Sequence, residues 1–213
     1  MTVRLVVAGT DTGVGKTVLS AALVAALQAH YWKPVQCGVA GETDSETVAR
    51  LADLPQSRIL PGAYRLDLPA SAHLAAEHQG LEIDVARLVP PASQAPLVIE
   101  LAGGLMVPLT RRVLQIDVLA RWRLPVILCA STRLGTINHS LLSLEALKRR
   151  AIPVLGVAFI GEEQADSERT IAEIGGVRLL GRLPHIDPLT PETLRAAFSQ
   201  HFDPASFVKD PPR

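Results

Sequence analysis

Cys37 and Cys129 are the only cysteines among 213 residues, so neither a disulfide framework nor a four-cysteine zinc site is available. An excess of charge of either sign is also missing: 21 Lys and Arg balance 21 Asp and Glu. Nucleic-acid binders carry a basic excess or patch. The densest cationic run here, Lys148-Arg149-Arg150, falls at the end of a predicted helix, where it complements the helix dipole. No nucleic-acid partner is therefore expected. Although 48% of the residues are hydrophobic, no apolar run reaches the ~20 residues of a membrane span. Internal repeats and composition breaks are missing too. Met1-Thr2-Val3-Arg4 leads straight into an apolar stretch without the pattern of a secretory signal. The expectation is one domain over residues 1–213, in the cytoplasm and without membrane contact. Three prolines within 203–213 predict a tail that frays or lies on the surface.

What is present is an alternation. Apolar runs of strand length at 4–8, 96–100, 125–130, 153–160 and 177–180, with a short one near 33–36, separate stretches of helical period. Those stretches are 16–29, 44–53, 70–79, 113–121, 137–150, 165–174 and 191–200. Strands alternating with helices imply βαβ units and an α/β fold with a mostly parallel sheet flanked by helices. Pro96-Leu97-Val98-Ile99 and Val126-Ile127-Leu128 are apolar without alternation, as strands covered on both faces should be. Ligands of such sheets bind beyond the carboxyl ends of the strands, and the informative residues follow the strands.

The first of them form Gly9-Thr10-Asp11-Thr12-Gly13-Val14-Gly15-Lys16-Thr17, set between an apolar run and an Ala- and Leu-rich helix. Strand, glycine-rich turn, Gly-Lys-Thr and helix are the parts of a phosphate-binding loop, or P-loop. Backbone N–H groups of the turn and the helix dipole attract phosphate, Lys16 reaches the β- and γ-phosphates, and the Thr17 hydroxyl holds Mg²⁺. The usual pattern puts four residues between its glycines. Here that position is Thr10, and Gly9 comes one residue earlier.

Glu100 ends the 96–100 run and is followed by Leu101-Ala102-Gly103-Gly104. A carboxylate there can face the P-loop and bind Mg²⁺, where many P-loop enzymes use Asp. An acidic residue closing a strand at the surface is the plainer alternative. Lys33-Pro34-Val35-Gln36-Cys37-Gly38 starts with a lysine that by itself means little, followed by a chain-fixing proline. In Glu42-Thr43-Asp44-Ser45-Glu46 one acid is a helix cap, or Asp44 is a second Mg²⁺ carboxylate.

Five segments in order then converge. The P-loop, Lys33-Pro34-Val35, Pro69-Ala70-Ser71-Ala72-His73, Glu100-Leu101-Ala102-Gly103-Gly104 and Leu134-Gly135-Thr136-Ile137-Asn138-His139 together resemble the dethiobiotin synthetase family, of the P-loop NTPase superfamily. The resemblance implies a ligase of biotin biosynthesis. It would close a ureido ring on 7,8-diaminononanoate with CO₂ (or bicarbonate), using ATP or another nucleoside triphosphate and Mg²⁺, by way of a carbamate and a carbamic–phosphoric anhydride. It implies that Gly13, Val14, Gly15, Lys16 and Thr17 bind nucleotide, with Glu100 and Gly103 beside it. Thr17, Asp44 and Glu100 would hold Mg²⁺, and Lys16, Lys33 and Thr12 would serve the reaction. Thr12 and Cys37 would contact the substrate. Gly135, Thr136, Ile137 and Asn138 would take its carboxylate at a helix N-terminus contributed by the partner of a homodimer. Simple capping is the alternative for Asn138 and His139, and both His73 and His139 are expected to be structural.

The chain departs from the family in places. Cys37 stands where a hydroxyl residue is frequent, and Leu101 where glycine is usual. The segment 28–32 is short, and no adenine-reading Asn occurs around Phe159-Ile160-Gly161, which leaves base preference open. Partitioning-type switch ATPases share the fold but carry an early lysine in the loop, where this chain has Asp11. A cobyrinate-type amide synthase and a pure nucleotide-binding protein are the remaining alternatives.

Overall fold

A computed structural model describes residues 2–208. Along these residues nine strands and seven α-helices alternate, except at two places where one strand directly follows another. Seven strands form the main sheet: β1 (Arg4–Gly9), β2 (His30–Trp32), β4 (Ile59–Leu60), β6 (Leu97–Gly104), β7 (Val126–Ser131), β8 (Val154–Ile160) and β9 (Leu179–Leu183). They run in the order β4-β2-β6-β1-β7-β8-β9, all neighbours parallel. Two further strands, β3 (Val35–Cys37) and β5 (Tyr64–Leu66), form a parallel pair of their own.

The helices are α1 (Lys16–Leu27), α2 (Asp44–Leu51), α3 (Ala72–His78), α4 (Gln115–Trp122), α5 (Thr136–Arg149), α6 (Ala165–Gly175) and α7 (Pro191–His201). Alternate residues of β1 feed two separate cores, as the period-two pleat requires. Leu5 and Val7 join Leu19 and Leu23 of α1, Leu51 of α2 and Phe198 of α7. Val6 and Ala8 join Ile116 of α4, Leu144 of α5 and Ile171 of α6. Each fully buried leucine here contributes about 1.5–3 kcal/mol of transfer free energy. Helices therefore cover both faces of the sheet. No described helix is long and apolar enough to cross a membrane.

The structure moves three boundaries. The short strand expected near 33–36 is split: Lys33 and Pro34 lie between β2 and β3. Pro34 has no N–H to give to a ladder; its carbonyl instead accepts from the amides of Ala63 and Tyr64, which brings β5 in beside β3. The strand expected to end at Glu100 runs on to Gly104: β6 carries two extra residues between the pairs Val7–Glu100 and Gly9–Gly104, so that Gly104 rejoins β1 at Gly9. Glu100 is thus a mid-strand residue opposite Val7. Finally, the surface tail expected from 203 is docked in its first half. Pro204–Phe207 form a 3₁₀ turn, and Phe207 is buried against Phe198 and Phe202, with ring centroids 5.9 and 6.1 Å apart. Residues 209–213 of that tail lie outside the described residues.

Candidate active site

The P-loop connects β1 to α1. A Cβ on Gly9 would lie 2.8 Å from both the Asp11 carbonyl oxygen and Lys16 Nζ, so only glycine lets the lysine fold back over the loop. Gly13 and Gly15 have φ of 71° and 97°, the left-handed region that favours glycine. Thr12 N–H donates to Asp11 Oδ1 at 2.7 Å, and Lys16 Nζ donates to the Asp11 carbonyl at 2.9 Å. No side chain caps the start of α1 at Gly15, which leaves that helix end open to an anion. Burial lowers the Lys16 pKa, opposed by the Glu100 charge.

Three elements deliver the polar cluster next to it. Lys33, 5% exposed, follows β2, and Glu100, 1% exposed, stands in β6. Asp44 opens α2, where Thr43 and Glu46 form a capping box. Lys33 Nζ lies 2.8 Å from Asp44 Oδ2 and 3.0 Å from Glu100 Oε1. Thr17 Oγ1 lies 2.7 Å from Asp44 Oδ1 and 2.9 Å from Glu100 Oε1. Below them, the Tyr31 hydroxyl donates to Glu100 Oε2 at 3.1 Å.

Charge and burial oppose each other here. Burial alone would lower the Lys33 pKa, but Glu100 and Asp44 reverse this and raise it. Burial would raise Asp44, and Lys33 overrides it downward. Lys33 stays an ammonium and Asp44 a carboxylate. Burial drives Tyr31 well above its ordinary value, and the Glu100 charge adds to this. Cys129, buried behind the loop with its thiol on the Val14 carbonyl, is pushed up to about 12 by burial.

The donor set suits Mg²⁺. Thr17, Asp44 and Glu100 offer only hard oxygens and two negative charges at one place, and Mg²⁺ completes such partial shells with water and phosphate oxygens. No cluster of three or more His, Cys, Asp or Glu among the described residues competes for a metal.

Beside the cluster opens a cavity of about 430 Å³. Lys33, Asp44, Thr12, Cys37 and Gly103 line it, with Gln36 and the Pro69–Ala72 segment. At Gly103, φ 63°, an added Cβ would come within 3.2 Å of Thr12 Oγ1, so the glycine keeps that hydroxyl free. Burial raises the Cys37 thiol, which leaves it a protonated weak donor in place of the hydroxyl that the resemblance led one to expect there. Leu101, the other departure, is buried within β6 and packs with the core below.

The structure does not bring every expected residue together. Gly135, Thr136 and Ile137 line a different cavity of about 510 Å³ with Thr132, Glu162 and His185, sharing no residue with the first, and Asn138 lines neither. No side chain caps α5 at Gly135, so the capping alternative for Asn138 does not hold. Ile160 sits against the P-loop, within 2.9 Å of where a Gly15 Cβ would be.

Sequence reasoning missed Tyr31, Gln36 and Thr43. Thr43-x-x-Glu46 is a capping-box signature that identifies Thr43 rather than an acid as the cap. Gln36 donates to the Cys37 carbonyl at 3.0 Å in a segment already singled out. Tyr31 carries no local signal, since its role depends on a strand pairing.

The model of the family described as AAA domain matches residues 3–193. The curated ATP-dependent dethiobiotin synthetase BioD of Agrobacterium fabrum (strain C58) is 62% identical over 211 residues, covering 99% of this chain and 100% of that protein. The protein of the same name from Rhodopseudomonas palustris (strain BisB5) is 62% identical over 210 residues, covering 99% of each. Among solved structures, a ParA family ATPase from Chlorobium tepidum TLS superposes with a TM-score of 0.57 at 11% identity, covering 94% of this chain and 92% of that one. The septum site-determining protein MinD from Pyrococcus horikoshii OT3 gives 0.54 at 14%, with 97% and 89% covered. At those identities the solved structures establish the fold alone, that of P-loop NTPases. The relatives decide more, because their identity extends over almost every residue of both partners: the chain belongs to the ATP-dependent dethiobiotin synthetase family.

Proposed function

We propose that the 430 Å³ cavity beside the P-loop is where this enzyme closes the ureido ring of dethiobiotin from 7,8-diaminononanoate, CO₂ and ATP. The observation that carries the reading is Lys33. A buried ammonium held at 2.8 and 3.0 Å by two carboxylates, on the wall between cavity and P-loop, is placed to meet an anion generated from a neutral amine.

The chemistry asks for little covalent help. An amine takes up CO₂ and loses a proton to give a carbamate. A carbamate oxygen attacks the γ-phosphorus of ATP and expels ADP, leaving a carbamic–phosphoric anhydride. The second amine then attacks the carbonyl carbon, expelling phosphate and losing a proton as the ring closes. Phosphoryl transfer is served by alignment and charge neutralisation. Lys16 and the free N–H groups of the loop hold the phosphates on one side. Lys33 faces the carbamate on the other, with Thr12 and Cys37 as further donors. Thr17, Asp44 and Glu100 hold Mg²⁺, which when bound neutralises phosphate charge.

The second cavity supports a homodimer in which residues 134–139 of a second copy receive the substrate's carboxylate at the uncapped start of α5. Leu134 is exposed just before α5, and Met106 and Leu142 are exposed at a further cavity beside Thr10–Thr12, apolar surface suited to be covered by another subunit. An ATP-consuming step and two unpaired thiols suit the cytoplasm. The switch-ATPase alternative is not favoured: Asp11 replaces its loop lysine, and its likeness extends to fold only.

The test supplies diaminononanoate, bicarbonate and Mg²⁺ with each of several nucleoside triphosphates. Dethiobiotin formation with ATP is expected. Folded protein that makes none with any nucleotide overturns the assignment.

A further inference from the structure

Glu100 is held from two sides. Oε1 faces Thr17 Oγ1 at 2.9 Å and Lys33 Nζ at 3.0 Å, while Oε2 accepts from the Tyr31 hydroxyl at 3.1 Å. The pairing of β2 with β6 produces this arrangement. Tyr31 stands beside Val98, and Glu100, two residues on, points to the same face of the sheet. The ring is wholly buried in the core between the sheet and α1, so its hydroxyl has no freedom to seek other partners.

The last torsion of a glutamate is soft and roughly two-fold. A carboxylate fastened only at Oε1 can exchange its oxygens or offer both. Mg²⁺ takes near-octahedral, one-oxygen ligands at short distance, whereas Ca²⁺ accepts bidentate carboxylates in irregular shells. We propose that Tyr31 is a positioning residue that fixes Glu100 as a one-oxygen ligand and thereby makes the site select Mg²⁺ over Ca²⁺. The inference rests on Thr17, Asp44 and Glu100 being the metal's ligands. A buried tyrosine hydroxyl needs some partner in any case, but a hydroxyl that serves packing alone would change stability without changing which ion the site prefers.

The test uses the full chain with a saturating non-hydrolysable ATP analogue and Mn²⁺ followed by electron paramagnetic resonance, with Mg²⁺ or Ca²⁺ as competitor. Tyr31→Phe is expected to weaken Mg²⁺ competition by about tenfold, the loss of one hydrogen bond to a charged group, and Ca²⁺ competition by less than about twofold. Folded Tyr31→Phe with unchanged Mg²⁺ competition, or with equal losses for both ions, overturns the proposal. Glu100→Gln separates the two levels. If it too leaves Mg²⁺ competition unchanged, the ligand assignment falls; if only Tyr31→Phe does, the positioning role falls alone. Should the Phe variant not fold, the wild-type chain decides by ¹³C-tyrosine NMR. With Tyr31 and Tyr64 its only tyrosines, the Tyr31 Cζ signal is expected to move when Mg²⁺ joins the nucleotide complex and to move differently with Ca²⁺, Tyr64 serving as reference. A Tyr31 signal blind to both ions overturns it.

Discussion

Lys33 is surrounded by acids that outnumber it, and this decides what removing it does. Lys33→Ala is expected to lower turnover by about 10²–10³-fold, the usual effect of deleting a preorganised donor, while nucleotide affinity, set mainly by the loop, changes less than about threefold. Steady-state kinetics alongside nucleotide titration checks the split. Asp44 gives a pH prediction. Its folded pKa lies below the unfolded carboxylate value of about 3.9. Its stabilising contribution is therefore complete above the unfolded value and is lost as pH falls through the folded one. Urea midpoints of wild type should accordingly fall more steeply below about pH 4 than those of Asp44→Asn. At this scale the chain was readable wherever residue type and spacing sufficed. Thr17, Lys33, Asp44 and Glu100 join in one hydrogen-bonded group, while Lys16 folds back onto the Asp11 carbonyl beside it. Tyr31 was not readable, because nothing near it in sequence tells which strand it will face.

Helix α2 shows how an element serves a single carboxylate. Asp44 is its first residue, and the capping box just before it fixes the entry: Glu46 Oε2 accepts from Thr43 N–H at 2.7 Å, and Thr43 Oγ1 accepts from Glu46 N–H. Thr43→Ala should cost about 1 kcal/mol of stability. It should also reduce turnover more than stability alone explains, since Asp44 loses its fixed start; comparing melting curves with kcat distinguishes the two. Helix boundaries at this scale were legible within about two residues, since apolar period and caps are local signals. The strands near Lys33 were not. Pro34 diverts the chain out of the main sheet into a small pair with Tyr64–Leu66, and a two- or three-residue strand has too little pattern to detect. Glu100 looked like a strand end for a related reason: what extends β6 past it is the pairing of Gly104 with Gly9, a contact between distant parts of the chain.

Across the whole molecule, the order β4-β2-β6-β1-β7-β8-β9 gathers the P-loop, Lys33 and Glu100 at one edge of adjacent strands. Alternating elements foretold a parallel sheet but not this order, which local sequence does not encode. The docked tail is the other global feature that composition concealed, because prolines masked one anchoring aromatic. Phe198 and Phe202 stack at 4.7 Å, and Phe207 closes the cluster. Phe207→Ala is expected to destabilise by about 3–5 kcal/mol, read by chemical denaturation, and to leave the metal and nucleotide sites unaltered in the folded fraction. The central position of β1 also bears on synthesis. Residue 4 pairs with residue 97 on one side, and residue 6 with residue 126 on the other. The phosphate loop thus leaves the ribosome well before both strands that flank β1, and neither edge of its strand is covered until they follow. Until then the newborn strand is an open apolar edge, of the kind chaperones bind and aggregates recruit, and no nucleotide can rescue it early.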